Sequence, residues 1–495
     1  MLKYPATLLC DFYKISHRAQ YPPKTETVVS NWTPRGTRMP GVTHAVNFSL
    51  QAFIKHYFVE YFQENFFDRP RQEVIDEYTR VIRYTLGVEN PDATHIGALH
   101  DLGYLPLIVR SLPEGTRVPL RVPMFTIENT LPEFFWLTNY FETLLSAEIW
   151  QPTTSATTAF EYRKLFERFA AETGADPANV LFQGHDFSFR GMPGLEAAAA
   201  SGAGHLLSFV GTDTIPSIIF HEYYYGANIE TELVGASIPA SEHSVMSAYG
   251  NEGTSEYDAF VRLITVVYPN GFVSVVSDTF NLWDVLDKYL PKLKAAVLAR
   301  DGRLVIRPDS GDPVKIITGN PDAAPGSSEY KGVVESLWDI FGGTINAKGY
   351  KVLDPHIGAI YGDSISLERA AAILQNLKDK GFASGNIVFG IGSFTYQYVT
   401  RDSLELALKA TDVTVNGIEK AIFKDPITDL KHLKRSARGR VAVVRRDGEL
   451  TLIDGLTATD IVEGDELRVV FRDGEPENIQ TLSEIRALLL SQLPQ

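Results

Sequence analysis

A chain of 495 residues, 44% hydrophobic and 22% charged, can bury two or three cores, which excludes a disordered protein. Its formal net charge of −15 excludes a broad nucleic-acid surface or an anionic membrane as partner, although a local basic pocket stays compatible with it. Cys10 is the sole cysteine, so there is no intrachain disulfide; no apolar run reaches the ~20 residues that span a bilayer, and the expected home is the cytoplasm.

The first third reads as α+β. Residues 25–33 form a strand ended by Pro34-Arg35-Gly36, and residues 49–67 carry Phe53, Ile54, Tyr57, Phe58, Tyr61 and Phe62 at helical spacing, an aromatic stripe for a core or a subunit contact. Residues 105–110 and 118–127, around the turn Pro113-Glu114-Gly115, read as antiparallel strands. Residues 134–150 read as a buried helix.

From about residue 149 short apolar runs alternate with helical stretches. Strands are expected around Ile149 and at 180–182, 206–210, 233–238, 272–276, 304–306, 357–361 and 387–389, with crossover helices such as 194–204 and 367–380. This alternation argues a parallel sheet, and about eight units favour a TIM-like barrel. Residues 319–328 read as a surface loop interrupting it. Beyond about 412 the chain returns to β structure, with hairpins at Asp447-Gly448 and Asp473-Gly474 and a closing helix at 484–490. The expected organisation is an N-terminal α+β domain (1–148), an α/β barrel-like catalytic domain (149–411), and a C-terminal β-rich segment (412–495) packing with the first.

The chemistry gathers where strands end. Residues 304–306 run into Arg307-Pro308-Asp309-Ser310-Gly311, which places one cation and one anion past a strand, either an ion pair or two sides of a site. Other strand ends carry His185-Asp186-Phe187-Ser188-Phe189-Arg190-Gly191, Gly211-Thr212-Asp213-Thr214, Ser241-Glu242-His243-Ser244, Ser277-Asp278-Thr279, Gly362-Asp363-Ser364 and Gly390-Ile391-Gly392-Ser393. Gly362-Asp363-Ser364 alone reads equally as a helix cap. Gly392 and Ser393, opening a helix, offer backbone N–H groups to a phosphate. The recurrence suggests a sugar-phosphate site. No P-loop, zinc helix motif or Gly-x-Ser-x-Gly elbow is present, and no dinucleotide fingerprint supports an oxidoreductase.

In order and spacing these motifs, with Asp11-Phe12-Tyr13-Lys14, Gln20-Tyr21-Pro22-Pro23 and Thr400-Arg401-Asp402, resemble the type II phosphoribosyltransferases, and within that group its nicotinamide-using members. The resemblance covers nearly the whole chain. It implies a homodimer with shared active sites, in which nicotinamide and phosphoribosyl pyrophosphate give nicotinamide mononucleotide and pyrophosphate. Mg²⁺ would neutralise the leaving group, and ATP would be a coupled co-substrate that phosphorylates His243.

The same resemblance assigns roles. Phe187, with Tyr13 of the partner subunit, would sandwich the pyridine ring, and Asp213 would accept from the carboxamide and repel nicotinate. Arg190 would lie beside the ring. Asp309 would hold the ribose hydroxyls, Arg307 would serve the ribose and the phosphates, Gly362 and Asp363 would line the ribose side, and Gly392 and Ser393 would bind the 5′-phosphate. Arg35, Arg401, Lys409 and Lys424 would take the pyrophosphate. Asp278 would hydrogen-bond the His243 imidazole, with Glu242 close by. Two departures stand out: Ile391, Ser393 and Phe394 occupy a loop that is richer in glycine in the family, and Phe12 replaces a small polar residue beside Tyr13. The nearest alternative is a nicotinate phosphoribosyltransferase; one of another class is a non-catalytic nucleotide or sugar-phosphate binding protein.

Overall fold

Six parallel strands form the sheet on which the site is built, in the order Gly211–Thr212, Gly184–Asp186, Ile387–Ile391, Ile357–Tyr361, Leu304–Arg307, Val273–Val276. They belong to a computed structural model that describes residues 3–250, 255–423 and 437–494. The chain divides into two units, one of Met1–Thr157, Phe220–Ala227 and Val399–Gln492, the other of Thr158–Ile219, Asn228–Tyr398 and Leu493–Gln495.

In the second unit the strands are short and buried on both faces, as the apolar runs of Val, Ile and Leu require of a parallel sheet covered by helices. Register is fixed by pairs such as Val273 with Leu304, Leu304 with Ile357, Ala359 with Ile387 and Phe389 with Gly184. Both edge strands are bridged in parallel by one extended segment, Gly211 with Ala236 and Ser274 with Ala240, so the sheet curls toward a barrel. The architecture is α/β with a parallel half-barrel sheet.

The eight expected strands reduce to six. Ile149 lies inside the 32-residue helix Glu142–Thr173. The β-branched residues after it are accommodated because Thr154 and Thr157 hydroxyls bond back to the carbonyls of Trp150 and Thr153, each at 2.7 Å. Residues 180–182 lie in the helix Pro177–Gln183, started by the Asp176 cap and Pro177, and the strand follows at Gly184–Asp186. Residues 206–210 lead into the two-residue strand Gly211–Thr212, and residues 233–238 contribute only bridges.

The first unit joins N- and C-terminal segments in a seven-stranded sheet. Its strands run Ile418–Ala421, Leu406–Val415, Thr25–Pro34, Phe125–Asn129, Leu107–Ser111, Arg468–Arg472, Glu475–Pro476. The aromatic stripe is core here: Phe58 packs on Phe141 at 4.8 Å and on Phe471 at 5.3 Å between ring centroids. Its helix winds partly with π geometry, over Ile54–Tyr61 and Gln63–Phe67. The hairpin turns Asp447-Gly448 and Asp473-Gly474 have positive φ at both positions, the conformation those residue pairs favour.

Candidate active site

At the carboxyl edge of the parallel sheet, five strands deliver side chains to one cavity of about 570 Å³. Gly184–Asp186 leads to Phe187, Phe189 and Arg190; Gly211–Thr212 to Asp213 and Thr214; Leu304–Arg307 contributes Arg307 and, beyond it, Asp309. Ile357–Tyr361 leads to Gly362 and Asp363, and Ile387–Ile391 to Gly392 and Ser393. The sixth strand, Val273–Val276, leads to Asp278, which braces the site. Its Oδ2 accepts from the N–H groups of Asp309 and Ser310, both at 2.7 Å. The Tyr361 hydroxyl fixes the same loop by donating to the Gly311 carbonyl at 3.0 Å.

Two glycines make this convergence possible. A Cβ on Gly362 would lie 2.5 Å from Asp309 Oδ1 and 3.1 Å from Arg307 Nε. One on Gly390 would meet the Phe187 ring at 2.6 Å.

Arg307 and Asp309 are not a closed ion pair. Nη2 and Oδ2 are 3.8 Å apart, beyond hydrogen-bond distance. Arg307 Nε is buried and has no acceptor among the described residues. Its guanidinium carbon lies 5.0 Å from the Phe187 ring centroid. The cation is therefore positioned and left with donor capacity, which suits an anionic or hydroxylated ligand.

Asp213 is held by two donors on one oxygen: Oδ1 is 2.8 Å from His185 Nε2 and 2.6 Å from the Ser237 hydroxyl. Burial alone would push this carboxyl up, but the His185 and Ser237 hydrogen bonds and the Arg307 charge hold it below the ordinary carboxylate range. The wall beside Phe187 thus carries an ionised acceptor.

His243 opens the helix His243–Ser247. Its Nε2 stands 3.8 Å from Asp309 Oδ2 and 3.9 Å from Asp278 Oδ1, and its Nδ1 is 3.2 Å from the Thr279 hydroxyl. The expected Asp278–imidazole hydrogen bond is not closed at 3.9 Å; Nδ1 meets Thr279 instead, and Asp278 gives Oδ2 to the backbone of Asp309 and Ser310. Asp278 Oδ1 is buried without a hydrogen-bond partner among the described residues. Glu242 accepts from the Ser244 hydroxyl. Nearby, Glu256 is a buried carboxyl that burial, Asp278 and Asp284 push up to about 7.

The departures in the glycine loop leave the cavity open. Ile391 is core, and Phe394 is half exposed, stacked on Tyr398 with ring centroids 5.7 Å apart. A Cβ on Gly392 would meet nothing within 4 Å, so space remains in front of that backbone.

Tyr13, Arg35, Arg401 and Lys409 belong to the other unit. Tyr13 is exposed and meets His17 edge-on at 4.9 Å. Arg35 Nε donates to the Glu405 carbonyl at 3.2 Å, Arg401 lies 3.6 Å from Asp402, and Lys409 pairs with Glu142 at 3.2 Å. Lys424 falls outside the described residues. Sequence reasoning gave no role to His185, Ser237, Phe189, Thr214 or Glu256. The first four sit in or beside the strand-end motifs, a usable signal; Glu256 has none.

The profile of the Nicotinate phosphoribosyltransferase (NAPRTase) family matches residues 182–475, which carry the whole cavity. The chain belongs to this family. It is 50% identical over 494 residues to a nicotinamide phosphoribosyltransferase of Acinetobacter baylyi, covering 98% of this chain and 96% of that one. A protein of the same name from Mycoplasma pneumoniae is 38% identical, with 88% and 94% covered. Among solved structures, human nicotinic acid phosphoribosyltransferase aligns with a TM-score of 0.56 at 17% identity, covering 98% of this chain and 93% of that chain. Nicotinate-nucleotide pyrophosphorylase from Pyrococcus furiosus aligns at 0.57 and 14%, with 99% and 98% covered. These likenesses establish the type II phosphoribosyltransferase fold. Among the described residues, no helix is long and apolar enough to cross a membrane.

Proposed function

We propose that this phosphoribosyltransferase acts in NAD salvage, transferring the 5-phosphoribosyl group of phosphoribosyl pyrophosphate to nicotinamide and releasing pyrophosphate. The observation that carries the choice of base is the ionised Asp213 carboxylate in the cavity wall beside Phe187. It accepts from a carboxamide N–H and repels a carboxylate. The names of the relatives support the same choice.

In this reading the pyridine ring stacks on Phe187, with Tyr13 of a second copy on its other face, and Arg190 beside it. Asp309, Gly362 and Asp363 take the ribose hydroxyls. Arg307 serves ribose and phosphate, and the backbone of Gly392 and Ser393 receives the 5′-phosphate. The C1–oxygen bond to pyrophosphate breaks with its electron pair leaving on oxygen. The ring nitrogen then bonds to a ribosyl centre of cationic character. The protein's work is positioning and charge stabilisation. Arg35, Arg401, Lys409 and Lys424 would meet the pyrophosphate in a homodimer with shared sites.

Mg²⁺ fits this donor set. Among the described residues no cluster of three metal-ligating side chains exists, but Asp278 Oδ1 is a buried oxygen without a hydrogen-bond partner, and Asp309 is its neighbour. One or two carboxylates plus substrate phosphates is the usual way to hold this ion. ATP would phosphorylate His243 at Nε2, the nitrogen that faces Asp278 and Asp309 while Thr279 engages Nδ1. Glu242 would sit beside that step.

Steady-state assays with both bases, phosphoribosyl pyrophosphate and Mg²⁺ test the proposal. A higher kcat/KM for nicotinamide is expected. A preference for nicotinate overturns the choice of base. No pyrophosphate release with either base supports a non-catalytic binding protein instead.

A further inference from the structure

Behind the cavity wall lies a residue with no contact role in the reaction. His185 is the central residue of the strand Gly184–Asp186, and its ring is buried. It packs on Phe187 at 4.6 Å between ring centroids, and its Nε2 lies 2.8 Å from Asp213 Oδ1. Ser237, from the segment that bridges the sheet's edge, donates to the same oxygen at 2.6 Å. An ionised carboxylate can only accept, so His185 must carry its proton on Nε2. Gly211 lets the ring approach this closely: a Cβ there would lie 2.8 Å from His185 Nδ1.

We propose that His185 is the positioning residue for base selectivity: with Ser237 it occupies Oδ1 of Asp213, leaving Oδ2 as the single acceptor offered to the base. This rests on the nicotinamide reading above. Three consequences of the geometry support it. The carboxylate is pinned through one oxygen, so its plane and the direction of Oδ2 are set by the strand rather than by a free side-chain torsion. Two donors on Oδ1 favour the ionised form, which cannot donate to a nicotinate carboxylate. The ring that pins Asp213 also supports Phe187, so the acceptor and the stacking face are aligned by one residue. The groups that face Asp213 and favour its ionised form are His185, Ser237 and the Arg307 charge, and all act in the same direction. The buried His205, whose pKa is lowered to about 4 mainly by burial, hydrogen-bonds the Gly211 carbonyl at 3.0 Å.

The test compares His185→Ala and His185→Gln with the wild type, using nicotinamide and nicotinate as substrates. Gln can return a donor near the position of Nε2; Ala cannot. For His185→Ala, the ratio of kcat/KM for nicotinamide over nicotinate should fall about tenfold or more, mostly through a higher KM for nicotinamide. The KM for phosphoribosyl pyrophosphate should change less than about threefold, since His185 does not line the cavity. His185→Gln should keep the ratio within about threefold of the wild type. An unchanged ratio in His185→Ala overturns the proposal and leaves the nicotinamide reading intact, as does a loss in His185→Gln equal to that in His185→Ala. A wild type that prefers nicotinate overturns both. If His185→Ala does not fold, the Gln variant decides: a ratio that collapses in a folded protein with normal phosphoribosyl pyrophosphate KM refutes the donor argument.

Discussion

Gly362→Ala is the sharpest single-atom test of the cradle. The glycine follows the strand Ile357–Tyr361, and its φ is not in the left-handed region, so a side chain there meets no backbone penalty. What it meets is the site itself. The added Cβ would sit 2.5 Å from Asp309 Oδ1 and 3.1 and 3.4 Å from Arg307 Nε and Nη2. The carboxylate contact falls about 0.9 Å short of the van der Waals range, so Asp309 must retreat by nearly that distance. Its backbone cannot follow freely, because its N–H is fixed to Asp278 Oδ2 at 2.7 Å. The side chain must therefore rotate away from the place it holds in the cavity beside Arg307. A displacement of ~1 Å in a positioning group costs on the order of 100-fold in rate. We expect kcat/KM for phosphoribosyl pyrophosphate to fall by about that factor, with the thermal midpoint nearly unchanged, since the methyl faces a cavity rather than the core. Activity within twofold of wild type would refute the placement of Asp309 and Arg307 on the substrate.

Other outcomes follow from the same geometry. Asp213→Asn removes the repelling charge and should bring kcat/KM for nicotinate to within about tenfold of that for nicotinamide; unchanged selectivity in paired assays counts against Asp213 as the discriminator. His243→Ala should lose all ATP-dependent stimulation while keeping ATP-independent transfer, and intact-mass analysis of the wild type after ATP should show one phosphate that the variant lacks. Chelation of Mg²⁺ should stop pyrophosphate release, and restoring the ion should return it. In the first unit, burial and the neighbouring Glu419 charge push Asp412 from 3.8 up to about 7, against the pull of Arg440. The native state then holds a proton that the unfolded chain has released, so stability should decline as pH rises from 3.8 to about 7 and level off above. Asp412→Asn should flatten that slope in denaturant titrations between pH 5 and 8; an identical slope in the variant sinks the assignment.

What the sequence disclosed follows physical lines. Long apolar strands bounded by polar groups were legible. Ile357–Tyr361 and Leu304–Arg307 stand where the hydrophobic runs put them, and so do the Asp-Gly hairpins, because local chemistry alone dictates those turns. Strands of two or three residues were not, since Gly184–Asp186 and Gly211–Thr212 carry too few side chains to make a period. Their apolar neighbours drew the strands several residues too early, and only the Asp176-Pro177 start signal marked the intervening helix. The site divides in the same way. Residues that line the cavity at strand ends were visible as recurring polar clusters, and eight of the nine residues expected to bind substrate line it together with Asp309. The contacts by which residues act on other residues were not visible. His185 earns its place only through a 2.8 Å contact with Asp213 across two paired strands. Asp278 braces the Asp309 loop through backbone groups, a partnership that no side-chain pattern encodes. The polar lining of the cavity is written in the residue types at strand ends; the proposed control of selectivity depends on the register that brings a second, buried set of residues behind them.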